Sequence, residues 1–258
     1  MRLENMVVLV TGAANGLGAG IVEALLALGA RVALADVNER AMEATRARLD
    51  PSGARTLGVV ADVAEEAAVA GFVSAAVAAF ERVDALVNNA GVIVMGRALE
   101  EGRDQFDFQF AVNVSGLFTC CKAAARQFIV QRTGGAIVNI ASNAGKVGFP
   151  AMAGYNASKA AVISLTRTLA AEWAPHRINV NAVCPGSVAT PMLREVAEFL
   201  SGQTGLSADQ HFSQMVPAQL ERHIQPIEVG RVVAFLLSDE AEIIRGQSIN
   251  VDGGETPY

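Results

Sequence analysis

Apolar runs of five or six residues alternate with longer segments of helical period from one end of the chain to the other, and this rhythm limits the fold more than any single motif does. Strand followed by helix, repeated, closes into a parallel sheet covered by helices on both faces. Strands of such a sheet are buried on both sides and read as continuous apolar runs. Seven runs qualify: MVVLV (6–10), RVALAD (31–36), TLGVVA (56–61), DALVNN (84–89), GAIVNI (135–140), RINVNAV (177–183) and QSINV (247–251). Helices are expected near 17–29, 39–49, 65–80, 104–131, 152–174 and 227–238. No linker, repeat or low-complexity tract interrupts the series, so residues 1–258 read as one α/β domain. The rhythm breaks once, at 188–225, where helix-like pieces separated by Gly and Ser replace a short loop. A long insertion of this kind is commonly a functional loop or lid.

Composition narrows the function classes. An apolar share of 52% over 258 residues fills a substantial core. The net charge is −6 and the 20 Lys and Arg residues are scattered, so no basic stripe suits a nucleic acid. The apolar run after Glu4 is too short for a signal peptide, and no membrane-length run occurs, so a soluble cytoplasmic protein is expected. Cys120, Cys121 and Cys184 lack CxxC spacing and sit in apolar segments, which reads as buried free thiols. His176, His211 and His223 are dispersed, so no metal site is expected.

The first strand runs into TGAANGLG (11–18) and then a helix. Glycines there let the backbone turn tightly beside a pyrophosphate, whose charge is favoured by the free N–H groups of a helix N-terminus. The spacing is GxxxGxG, through Gly12, Gly16 and Gly18, and a Gly-rich turn after a strand can also be purely structural. The second strand ends at Asp36, whose carboxylate can accept from ribose hydroxyls and would repel a 2′-phosphate. Val37 and Asn38 follow, and no Lys or Arg lies in the turn, so the reading is NAD over NADP; Asp36 opening a turn or capping the next helix is the alternative. Asp62 could accept from an adenine amino group beside the Val63 backbone, and NNAG (88–91) would pass close beneath the cofactor. All of these fall at the carboxyl edge of the sheet, where ligands of Rossmann-type doubly wound folds bind.

Tyr155 and Lys159 lie one helical turn apart, and on spacing alone a core Tyr and a surface Lys is the favoured reading. With Ser142 upstream they assemble into a pattern. TGAANGLG, Asp36, NNAG, Asn113, Ser142, YNASK and the PG of 185–186 together resemble the short-chain dehydrogenase/reductase family, in its branch of about 250 residues, from Val7 to Gly254. The resemblance implies a catalytic set of Asn113, Ser142, Tyr155 and Lys159. Tyr155 would be the general acid/base, with a Lys159 ammonium favouring its phenolate. Lys159 would also bond the nicotinamide ribose, Ser142 would donate to the substrate oxygen, and Asn113 would sit at a helix kink holding a water. It further implies dinucleotide contacts at Gly12, Asn15, Gly16, Leu17, Gly18, Asp36, Asp62, Val63, Asn89, Ala90, Gly91, Pro185 and Gly186, with Val188 and Thr190 on the carboxamide and transfer at the pro-S position of C4. Asn113 bonding a local backbone group is the alternative for that residue.

Ala141, where many relatives carry Ser, and Gln225 before Pro226 depart from the family pattern. Val92, Val94, Asn143, Phe149, Met152 and Met192 are pocket candidates by position, mostly apolar. The expected substrate is therefore a neutral secondary alcohol or ketone with an apolar portion, with a polyol or sugar alcohol as alternative. Two other classes stand beside it. A non-catalytic dinucleotide binder would be expected to lose the Tyr, Lys or Ser, and an enoyl reductase of the same fold resembles a branch with wider Tyr to Lys spacing. The long helices 104–131 and 152–174 are those the family pairs between subunits, so the resemblance implies a homotetramer.

Overall fold

The computed structural model describes residues 3–258. Seven strands lie in one sheet, all parallel, in the order β3-β2-β1-β4-β5-β6-β7. They are β1 (Val7–Thr11), β2 (Arg31–Asp36), β3 (Thr56–Val60), β4 (Ala85–Asn88), β5 (Gly135–Ile140), β6 (Ile178–Pro185) and β7 (Ser248–Val251). Each matches one of the seven apolar runs to within a residue or two. The helices between them are α1 (Gly16–Ala27), α2 (Glu39–Leu49), α3 (Glu66–Phe80), α4 (Arg103–Phe110), α5 (Leu117–Gln131), α6 (Ala153–Trp173), α7 (Pro191–Ser201), α8 (Ala208–Gln214) and α9 (Pro226–Leu237).

Successive strand side chains face opposite ways, and the core divides accordingly. Val8, Val10, Val32 and Leu34 pack with Ile21 and Leu25 of α1, Met42 of α2 and Val233 and Leu236 of α9. Val7, Leu9, Ala33 and Ala35 pack on the other face with Phe72 of α3, Phe128 of α5 and Val162 and Leu169 of α6. The three cysteines are free and buried. Burial pushes the Cys120 thiol up to about 12 and the Cys121 thiol higher still, which makes them packing groups at neutral pH.

One expectation is corrected. The long helix at 104–131 is three pieces, because Ala111–Gly116 between α4 and α5 is a π-helix. Asn113 lies inside it and turns its amide inward: Oδ1 accepts from the Val92 N–H at 2.8 Å, and Nδ2 donates to the Val92 carbonyl at 2.9 Å and the Ser158 hydroxyl at 3.0 Å. The wide turn thus ties the chain after β4 to α6. A second polar link fixes α6 over the sheet, where Asn139 of β5 donates to Thr166 at 3.0 Å and accepts from Asn88 of β4 at 2.9 Å. Residues 188–225 hold α7, α8 and the turns around them, and a bridge between Val188 and Ile224 closes the base of the segment.

Candidate active site

The topology changes direction between β1 and β4, and a cavity of about 690 Å³ opens at the carboxyl ends of the strands there. One end is the Gly-rich turn. Gly12 has φ +62°, and a Cβ at Gly18 would collide with the Gly12 carbonyl oxygen, so the turn needs glycine at both places. Asn15 precedes α1 without capping it through its side chain, unlike Asn38 before α2 and Thr190 before α7. The first N–H groups of α1 therefore open on the cavity through Gly16, Leu17 and Gly18, and no acidic side chain stands in that first turn. Such a terminus fits the diphosphate of a dinucleotide. Asp36 lines the same end; its two oxygens accept from the N–H groups of Ala14 and Asn38, both at 2.9 Å.

Asn89 locks β4 to the turn, with Nδ2 donating to the carbonyls of Gly12 at 2.7 Å and Thr11 at 3.1 Å. The Thr11 hydroxyl accepts from the N–H groups of Asn89 and Ala90, and Gly91 lies beside the Asn113 amide and Lys159 Nζ. Asn89, Ala90 and Gly91 all line the cavity.

At the other end Ser142, after β5, shares the cavity wall with Tyr155 and accepts from the Ala144 N–H at 3.1 Å. The Lys159 amine lies 5.7 Å from the centre of the Tyr155 ring and donates to the Ile140 carbonyl at 2.8 Å. All three side chains are buried and line the cavity. Burial pushes the Tyr155 phenol up to about 12, with the Ser142 hydroxyl working against it. Burial also pulls the Lys159 ammonium down to about 8.

Several expected site residues lie off this cavity. Asp62 is exposed and bonds the Ala64 N–H, and Val63 is buried against Gly116 of the π turn; neither lines the cavity. Asn113 stands behind the wall rather than on it. Val92 and Val94 are likewise off the cavity, their N–H groups taken by Asn113 and Gln109. Pro185, Gly186, Val188, Thr190, Asn143, Phe149, Met152 and Met192 do line it. The Thr190 hydroxyl caps α7 through the Leu193 N–H at 3.3 Å. Met215, in the expected lid segment, also lines the cavity, and Ser187 and Glu255 line it and escaped the sequence reading. Glu255 had one available signal: it follows β7 at the same carboxyl edge as every other site motif.

A sequence profile described as enoyl-(acyl carrier protein) reductase matches residues 12–256. The chain belongs to the short-chain dehydrogenase/reductase family. Among its relatives, 2-(S)-hydroxypropyl-CoM dehydrogenase 3 of Xanthobacter autotrophicus is 36% identical over 255 residues, covering 99% of this chain and 98% of that one. Of solved short-chain dehydrogenase/reductase structures, a single-substitution variant of actinorhodin polyketide ketoreductase with NADPH superposes with a TM-score of 0.94 at 35% identity, covering 98% of each chain. NAD+-bound xylitol dehydrogenase gives a TM-score of 0.91 at 36% identity, covering 98% of this chain and all of that one. Oxidoreductases of this family bind nicotinamide dinucleotides. Among the described residues no helix is long and apolar enough to cross a membrane.

Proposed function

We propose that this short-chain dehydrogenase/reductase moves a hydride between NAD and a secondary alcohol or ketone with an apolar portion. The observation that carries the reading is one cavity bounded at one end by the uncapped start of α1 and Asp36, and at the other by Ser142, Tyr155 and Lys159 together. Gly12, Asn15, Gly16, Leu17, Gly18 and Asp36 would hold the dinucleotide's adenosine and diphosphate, and Asn89 to Gly91, Lys159, Pro185, Gly186, Val188 and Thr190 its nicotinamide half. Bound there, it supplies the hydride acceptor or donor. Asp36 supports NAD, because its carboxylate faces the region where a 2′-phosphate would add like charge.

Ser142 donates to the substrate oxygen and holds it against the Tyr155 hydroxyl. A phenol kept protonated by burial suits proton donation to a carbonyl oxygen during reduction, and oxidation requires the same oxygen to take the alcohol proton. Lys159 Nζ, anchored on the Ile140 carbonyl beside Gly91, would bond the nicotinamide ribose. Asn113 positions Val92 and Ser158 behind the site, and residues 188–225, with Met192 of α7 and Met215 after α8 on the wall, close over the substrate as a lid. Phe108 of α4 and Phe118 and Val130 of α5 are exposed, which supports assembly of the chain into a tetramer through these helices.

The test is a panel of secondary alcohols followed by the ultraviolet absorbance of the reduced nicotinamide, with NAD and NADP in parallel. Turnover with NAD that falls by about 10³-fold or more in Tyr155→Phe is expected, with cofactor binding retained. Comparable activity in that variant, or reduction of C=C bonds and of no carbonyl, would overturn the reading.

A further inference from the structure

A carboxylate reaches the cavity from outside every motif of the family pattern. Glu255 is half-buried and follows β7 in a tightly held turn. Asp252 closes that turn by accepting from the N–H groups of Gly254 at 3.0 Å and Thr256 at 2.9 Å, and from the Thr256 hydroxyl at 2.5 Å. The Glu255 side chain is fixed as firmly. Its Oε2 accepts from Asn143 Nδ2 at 2.8 Å and its Oε1 from the Ser187 hydroxyl at 2.5 Å. Asn143 Oδ1 accepts from the Ser142 hydroxyl at 3.3 Å, and Ser142 lines the cavity with Tyr155. One amide side chain therefore separates Glu255 from the reacting hydroxyls.

A carboxylate offers about four acceptor positions. Two are used by these donors, and the group lines the cavity with no Lys or Arg acting on it. An apolar mono-alcohol would cover that acceptor and leave it unsatisfied, which is costly, and an anionic substrate would meet like charge. A substrate ammonium would be attracted, but the cavity walls include Met192, Leu193, Val196 and Met215, and stripping water from a cation there costs more than one already bonded carboxylate returns. A neutral hydroxyl satisfies the acceptor at the least desolvation cost.

We propose that Glu255, held by Asn143 and Ser187, is a specificity-determining residue that accepts a hydrogen bond from a second hydroxyl of the substrate, making the preferred substrate a diol. The reacting carbinol meets Ser142 and Tyr155, the other hydroxyl meets Glu255, and the hydrocarbon part lies on the methionines. This rests on the alcohol/ketone reading above, and the experiment separates the two.

Steady-state rates are compared for 1,2-cyclohexanediol and cyclohexanol, with 2-aminocyclohexanol and 2-hydroxycyclohexanecarboxylate as the charged arms. The diol is expected to exceed cyclohexanol in kcat/KM by about tenfold or more, since a site built to bond a hydroxyl rejects the analogue lacking it. Glu255→Leu should lose at least about tenfold more on the diol than on cyclohexanol, and Glu255→Gln, which keeps the shape and one acceptor, should fall between. A diol preference that Glu255→Leu leaves unchanged, or a preference for the amino alcohol over the diol, overturns the proposal. In a second arm, calorimetry measures 1,2-cyclohexanediol binding to NAD-loaded Tyr155→Phe protein with and without Glu255→Leu. Weaker diol binding in the double variant supports the subsite even if no alcohol turns over, an outcome that sinks the oxidoreductase reading alone; equal binding sinks the subsite alone.

Discussion

Burial holds the Lys159 amine down at about 8 while its Nζ donates to the Ile140 carbonyl, so below that pH the folded protein carries a poorly hydrated ammonium. Between about 8 and the ordinary value of 10.5 the unfolded chain binds the proton that the folded chain has released, so stability rises with pH across that window. Lys159→Met abolishes the effect. Its Tm, relative to the parent, should therefore be highest near neutrality and decline steadily as pH climbs from about 8 to 10.5, while the lost Ile140 hydrogen bond adds only a constant offset. A pH-independent gap in thermal unfolding would contradict this. Asp36→Ser removes a carboxylate facing the 2′ position, and the ratio of kcat/KM for NAD over NADP should drop about tenfold or more, about 1.4 kcal/mol. Side-chain identities along the chain disclosed which groups gather at the cavity, since Ser142, Tyr155, Lys159, Asp36 and the turn glycines all meet there. Their acidities were less legible: four-residue spacing places an amine beside a phenol, but burial, which only the packed molecule reveals, dominates both shifts.

Helix boundaries followed from periodicity, and the π turn at Ala111–Gly116 did not, because a change from four-residue to five-residue hydrogen bonding leaves the apolar pattern on both sides intact. The visible trace was Asn113, a poor residue for the middle of a helix. Asn113→Ala should destabilise the protein by about 2–4 kcal/mol, because it strips partners from the Val92 N–H and carbonyl and from Ser158. Denaturant unfolding should show a lower midpoint with an unchanged slope. The entry into α9 has an acid-sensitive clasp. Arg222 bonds both Glu228 oxygens, at 2.8 and 2.7 Å, and this with the Gln225 N–H pulls the Glu228 carboxyl down to about 2. A carboxyl lowered in the folded state stabilises above its unfolded value and loses that contribution as pH falls. Wild type and Glu228→Gln should therefore differ in stability above about pH 4.5 and converge as pH approaches about 2. The pair is largely exposed, so the difference is expected to be small and to shrink further with salt.

The sheet order brings residues from Gly12 to Glu255 to one edge, and that convergence explains why the sequence revealed the site in pieces. Motifs after β1, β4, β5 and β6 could be read because parallel strands all deliver their carboxyl ends to the same side. Glu255 obeyed the same rule after β7, but its meaning depends on Asn143, more than a hundred residues earlier, and local patterns carry no such pairing. Quaternary structure belongs to this scale. Light scattering should give four copies of the chain, and Phe108→Asp with Val130→Asp should yield a smaller species while the circular dichroism spectrum is unchanged. The wide turn beneath the site also bears on which changes of length the chain tolerates. A π turn spends one residue more than an α turn between the same flanks. Deleting one residue from 111–116 would close it to an ordinary helix and keep α4 and α5 in their present facing, while withdrawing the Asn113 amide from Val92. In a lineage of such chains, a gap at this point would pass almost unnoticed by the hydrophobic core and be felt first at Gly91 and Lys159, where the fold meets its chemistry.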